Sequence, residues 1–307
     1  MNKSLIVAKK ELADAITSKR FWLIVGLFLL LYVVNIYATS LGFRMGLLGP
    51  TRLFLQAGSS VVSTMSIMAP LLGVALAFSA ISGEREKGTL KVLLSRPIYR
   101  EDVINGKIIS SLALIALTVT VTSFLSVSAS ILLQGITVTL DDIVRLCIFV
   151  VISILFSFAY YTISLFVSTL SNRSGQSLVI SLGVWIFFVL ILPLLASFIA
   201  LSVLGPPPSF PFQNFTRGQQ RQLPQSFIEY ERKSAQISST VQMISINSHY
   251  SSLASSLFGL RILFGQEQNV DVFSLLSLHW IDIVVLIIYP VVFLVASYMA
   301  FTRRQEK

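Results

Sequence analysis

Gly83 and Gly88 flank the run Glu84-Arg85-Glu86-Lys87, a spacing that approaches a phosphate-binding loop. Such a loop needs Lys and then Ser or Thr directly after the second glycine, to reach the phosphates and the magnesium ion. Thr89-Leu90 follow instead, and the run comes after a long apolar stretch where a strand is required. The chain therefore carries no recognisable means of hydrolysing ATP. His249, Tyr250 and His279 are the other groups with reactive chemistry, suited in principle to proton transfer or nucleophilic attack. The two histidines lie far apart in sequence, with no Cys or carboxylate cluster at metal-ligand spacing, so no zinc site and no bound cofactor are expected. A structural tyrosine and interfacial histidines explain these three residues equally well. No H-E-x-x-H motif is present.

The elements that must position these groups are membrane helices. Hydrophobic residues make up 54% of the 307 and charged residues 12%, with a mean hydropathy of +0.80. That leaves too little polar surface to clothe a soluble globule. A bilayer core about 30 Å thick needs roughly 20 apolar residues in a helix. Six runs meet this: Phe21 to Leu41, Val61 to Ile81, Ile108 to Leu133, Leu146 to Leu170, Leu178 to Leu204 and Ile281 to Phe301. Unpaired backbone is not tolerated in lipid and the runs far exceed barrel strands, so the predicted fold class is an all-α integral membrane protein with six transmembrane helices. The polar lead of about 20 residues and the length of the first run predict retention as a span, not cleavage as a signal.

Basic residues orient the chain. With both termini cytoplasmic, the inner segments hold 15 of the 23 Lys and Arg, and five of the other eight (Arg217, Arg221, Arg232, Lys233, Arg261) lie in one long outer loop. The net charge of +9 thus reflects topology, and nucleic acid is not an expected partner. The expected location is the cell membrane, as a multi-pass protein. Residues 1–20 place Leu5, Ala8, Leu12 and Ile16 at helical spacing, which predicts an amphipathic helix lying in the inner interface against lipid. Residues 21–204 hold five spans with a cytoplasmic coupling region at 82–107, residues 205–280 form an extracytoplasmic insertion, and residues 281–307 carry the last span and tail.

The insertion opens with Pro206, Pro207, Pro208, Pro211 and Phe210, Phe212, Phe215, a run expected to be extended. Phe227, Tyr230, Ser234, Ile237, Val241 and Ile244 then predict a helix broken near Asn247, and Tyr250, Leu253, Leu257 and Leu260 a second. Asn214-Phe215-Thr216 is a weak match to a glycosylation sequon. Asp141, Asp142 and Asp282 stand where carboxylates favour helix N-termini. Cys147, the single cysteine, is expected to be a small packed side chain. Ser and Thr crowd the third and fourth spans, as close helix packing requires, and Pro70, Pro193 and Pro290 offer kinks.

The charged island has the design of a docking device. Glu84 to Leu94 is predicted helical, too apolar at Leu90, Val92, Leu93 and Leu94 for an idle loop. Pro97 disfavours helix at Arg96, and Glu101 and Asp102 suit the first turn of the next helix. The order S-G-E-R-E-K-G-T-L-K-V-L-L-S-R-P-I-Y-R, Ser82 to Arg100, with G-K at Gly106 and Lys107, resembles the hallmark of ABC-2 type transporter permeases, the membrane subunits of type V ABC exporters. It is most similar to the branch of copper-enzyme maturation and sodium or drug export. Ala8 to Trp22, A-K-K-E-L-A-D-A-I-T-S-K-R-F-W, also resembles that family's N-terminal helix.

The resemblance implies a noncatalytic exporter subunit. Two permease copies, a homodimer by expectation, would form the path, and a separate ABC ATP-binding subunit would hold ATP and Mg. Glu84, Arg85, Glu86, Lys87, Gly88, Thr89 and Leu90 would contact that ATPase. Lys9, Lys10 and Glu11 would belong to the interfacial connecting helix. The other reading is a membrane-embedded enzyme or assembly factor whose outer cap acts on an extracytoplasmic partner through His249, Tyr250 and His279.

Overall fold

The structure is a computed structural model that describes residues 3–44, 53–90, 99–134, 139–208, 225–258 and 272–304. The proline and aromatic run from 209 on, Asn214-Phe215-Thr216, Val92 to Leu94, Pro97 and Leu260 lie outside the described residues. All described elements are helical. Six helices are long and apolar enough to cross a membrane: Phe21–Ala38, Val61–Glu86, Arg100–Ala129, Leu140–Leu170, Ser174–Leu204 and Trp280–Arg303. The described chain falls into two compact units, Met1–Trp185 with His249–Lys307, and Ile186–Ser248.

In the larger unit, α1 (Lys3–Ile16) leads into α2 (Lys19–Arg44), followed by α3 (Leu53–Ala77), the short α4 (Ser82–Glu86), α5 (Arg100–Gln134), α6 (Leu140–Leu170) and α7 (Ser174–Ile186). Ser18 marks the first break, its hydroxyl accepting from the Phe21 N–H. The core forms around α6, which packs against α3 and the last span. Gly73 makes the α3 approach possible: a Cβ there would sit 2.2 Å from the Ser157 carbonyl oxygen and 2.7 Å from the Tyr161 nitrogen. Across that seam the Ser157 hydroxyl donates to the Ala69 carbonyl at 2.7 Å. The buried hydroxyls of Ser153, Ser157, Ser164 and Ser168 are thus helix-to-helix ties, while Thr162 and Thr169 bond back to carbonyls of α6 itself. Thr139 and Asp142 form a capping box at the start of α6, so Asp142 caps as expected, while Asp141 pairs with Arg145 at 2.6 Å. Cys147 departs from its expected packing and is exposed on α6, on a face turned out of the bundle.

The smaller unit holds a π-turn (Phe187–Ile191), α8 (Leu192–Leu204) and α9 (Gln225–Gln242). Pro193 accounts for the π-turn: it has no N–H to give and its ring crowds the preceding turn, so the backbone takes an extra residue. The Leu192 N–H bonds back to the Phe187 carbonyl. Gly205 ends α8 at φ 77°, a left-handed position that favours glycine. Its carbonyl receives the Tyr230 hydroxyl at 2.8 Å. Along α9 the half-buried residues include Phe227, Tyr230, Ser234, Ile237 and Val241 of the stripe read from spacing; the helix ends at Gln242, before the break expected near Asn247, and Ile244 is exposed.

The larger unit is completed by α10 (Ile246–Leu257, belonging to it from His249 on), α11 (Val272–Leu278) and α12 (Trp280–Arg303).

Candidate functional site

The charged island folds as the short helix α4, and its expected extension through Leu94 is interrupted. Gly88 takes φ 71°, which ends the helix after Lys87 and turns the chain before Thr89. This turn divides the seven candidate residues into two groups. Glu86, Lys87, Gly88 and Thr89 are exposed, whereas Glu84 and Arg85 are partly buried and Leu90 is fully buried.

The inward group meets Lys107, a residue read in the sequence only as part of the G-K pair. Lys107 is 3% exposed. Its Nζ lies 2.7 Å from Glu84 Oε1 and 2.9 Å from Glu11 Oε1. A cation this deep is tolerated only when paired and hydrogen-bonded. Here one ammonium joins a carboxylate on α4 to a carboxylate on α1. The Lys107 carbonyl also accepts the Tyr161 hydroxyl of α6 at 3.1 Å, so the junction touches four helices.

Gly106 explains how α1 reaches it. A Cβ at Gly106 would lie 2.6 Å from Val7 Cβ and Cγ1 and 3.0 Å from the Ser4 carbonyl oxygen, so only glycine admits this crossing of α1 over α5. One turn away the Ser4 hydroxyl donates to Asp102 at 2.8 Å. The face of α1 turned to the protein is therefore Ser4, Val7, Ala8 and Glu11. Leu5, Ile6 and Ile16 stay exposed, as do Lys9 and Lys10. Of the connecting-helix residues predicted, Glu11 enters the junction and the two lysines remain on the surface.

Further ties surround α4. The Ser168 hydroxyl accepts from the backbone N–H groups of Ile81 and Ser82 at 3.1 and 3.0 Å, capping α4 from α6. Arg85 donates to the carbonyls of Thr169 and Ser171, at the end of α6 where unpaired carbonyls carry partial negative charge. Arg304 donates to Thr169 and Leu170 at that same end, and Arg100 to Phe301 and Arg304. Glu86 Oε2 accepts from the backbone N–H and hydroxyl of Ser174 at 2.9 and 2.6 Å, capping α7. α4 is thus tied to α1, α5, α6 and α7 through named side chains. Nothing in this set is arranged for bond-breaking chemistry.

Of the three residues behind the enzyme reading, Tyr250 meets the middle of α6. Tyr250 stacks on Phe156 with ring centroids 4.0 Å apart and bonds Ser153 at 2.9 Å, deep in the core. His249 and His279 converge on Asp282, which receives both side chains instead of only capping α12. Proximity in the fold, invisible in sequence spacing, causes that correction.

Residues 5–305 match a family described as ABC-2 family transporter protein. The chain is 29% identical over 207 residues to a probable ABC transporter permease protein NosY of Stutzerimonas stutzeri, covering 67% of this chain and 72% of that relative. It is 30% identical over 215 residues to the protein of the same description in Pseudomonas aeruginosa, covering 65% and 70% respectively. Permease subunits of ABC transporters are noncatalytic, hydrolysis occurring in the partner ATPase, and the enzyme reading falls with that. A family match over nearly the whole chain, six apolar helices and a helix α4 built into a charged junction lead to one assignment: the chain belongs to the ABC-2 family of transporter proteins, as a transmembrane permease of an ABC transporter.

Proposed function

We propose that this permease is the membrane half of an ATP-driven exporter, with both termini and α4 on the cytoplasmic side and α4 docked on a separate ATP-binding subunit. ATP and Mg reside on that partner. Two permease copies, taken as identical, enclose the translocation path. The outward apolar residues Leu5, Ile6 and Ile16 of α1 rest on lipid.

The observation that carries this reading is the Lys107 junction. A partner can shift the permease between states only through contacts that differ between those states. Glu86, Lys87, Gly88 and Thr89 provide the exposed tip for such contacts. Glu84 and Arg85, braced by Lys107 and the end of α6, convert a push on the tip into movement of several helices at once. Pushing an unbraced loop would bend the loop alone.

The test is ATP hydrolysis by the assembled complex in lipid nanodiscs. Lys87→Glu combined with Thr89→Arg is expected to lower permease-dependent hydrolysis about tenfold or more, the loss of roughly 1.4 kcal/mol of coupling, while yield and thermal stability of the permease stay unchanged. Unaltered hydrolysis in that variant would rule out docking at the tip.

A further inference from the structure

Both histidines of the chain are bound to one carboxylate. His249 Nδ1 lies 2.5 Å from Asp282 Oδ1 and His279 Nδ1 lies 2.6 Å from Asp282 Oδ2, with all three side chains largely buried. His249 comes from α10, while His279 and Asp282 come from the start of α12. This cluster therefore fastens α10 to the outset of the last span. Tyr250, next to His249, fastens the same helix to α6.

The proton count follows from the distances. A bare imidazole nitrogen cannot face a carboxylate oxygen this closely, so each Nδ1 carries its hydrogen and donates it. With neutral rings each Nε2 is an acceptor, and the Ser256 hydroxyl, 2.9 Å from His279 Nε2, gives its single proton there. When His279 takes up a second proton, Nε2 becomes the donor to Ser256 Oγ. The Ser256 hydroxyl then turns to the Ser252 carbonyl, already within 2.8 Å. At His279 both protonation states keep the bonds to Asp282 and Ser256 without moving a heavy atom.

We infer that His249, His279 and Asp282 form a proton-binding latch, with Ser256 as the rotor that accommodates the added proton, and that proton uptake tightens the hold of α10 on α12. The charged groups acting on Asp282 are the two imidazoles. On α6, Arg145 is neutralised by Asp141 and donates to the Leu257 carbonyl beside Ser256. Neither α10 nor α11 contributes another acid or base besides Tyr250. An imidazolium on a carboxylate holds more strongly than a neutral ring on the same group. The fastened state therefore binds more protons than the released one, and the latch weakens as pH rises. Nothing in this depends on what docks at α4.

The experiment uses the full chain in nanodiscs with nitrogen-15 histidine, whose spectrum holds two imidazoles because the chain has two histidines. At about pH 8.5 both rings are expected as the Nδ1–H tautomer. Amide exchange across residues 250–257, corrected for its intrinsic rate, should slow on the order of tenfold between about pH 8 and about pH 6. In His249→Gln/His279→Gln that change should vanish. An Nε2–H tautomer on either ring in the wild type, or the same pH response in the double variant, overturns the latch. The tautomer reading needs no variant to fold.

Discussion

The elements tied to the two ends of α6 carry mirror-image charge arrangements. At one, a single cation, Lys107, sits between two carboxylates on different helices. At the other, a single carboxylate, Asp282, sits between two imidazoles. The first joins two carboxylates through a lysine ammonium. The second joins two imidazoles through a carboxylate, and histidine is the side chain whose ordinary charge change lies nearest to neutral pH.

Replacing Lys107 by Met should break the comparison most severely. Two carboxylates would be left facing each other without their cation, at a cost of about 3–5 kcal/mol. In chemical denaturation in detergent the loss should not shrink as pH rises, since the two carboxylates repel most when both are ionised. Asp282→Asn should behave oppositely. Removing the acceptor of two donors costs about 1–3 kcal/mol when the rings are charged, and the loss should shrink as pH rises. A pH-independent loss in Asp282→Asn would erase the distinction between the two ends.

Gly106→Val tests whether α1 is held by close approach as well as by charge. The new side chain collides with Val7, and an overpacking loss of about 1–3 kcal/mol is expected, with Gly106→Ala milder. Tyr250→Phe should cost about 1 kcal/mol, because the Ser153 bond goes while the stack on Phe156 remains. The smallest effect belongs to Leu5→Ser with Ile6→Ser, within about 0.5 kcal/mol in detergent because both side chains are exposed. In lipid the same pair should lower the protection of α1 from proteolysis, if that face lies on the bilayer.

The charged island and the start of α5 were legible in the sequence because charge is conspicuous in an apolar chain. Ser82 to Arg100 stands out for that reason, and Glu101 and Asp102 do occupy the first turn of α5. The function of Lys107 was not legible. Its partners Glu11 and Glu84 are 96 and 23 residues away, and no periodicity joins residues across three helices. A signal did exist in Gly106, since a glycine before a lysine in a helix hints at another backbone pressing close. The α1 stripe was legible in part: Leu5 and Ile16 are exposed as a lipid-facing stripe would be, whereas Ala8 of the same stripe is buried on the side that crosses α5 at Gly106.

The opposite end was less legible still. His279 and Asp282 share a helical face at three-residue spacing, but His249 lies 33 residues before Asp282 and reaches it only through the fold. Cys147 illustrates the limit of composition: a small apolar residue in a span is as comfortable facing outward as inward. The α9 stripe was legible as far as Val241, where helical spacing alone decides it; the break comes earlier than Asn247, after Gln242, and leaves Ile244 exposed.

The most direct test of the account is affinity purification of the tagged chain from its native membranes in mild detergent, with copurifying subunits quantified for wild type, Lys87→Glu/Thr89→Arg and Glu84→Gln. The account predicts a stoichiometric subunit bearing a phosphate-binding loop with the wild type. That subunit should be lost from the tip variant, and should be retained by Glu84→Gln with hydrolysis uncoupled from the permease. Recovery of no such subunit with a folded wild-type chain, or equal recovery with the tip variant, would contradict the claim that α4 is the docking element and Lys107 its brace.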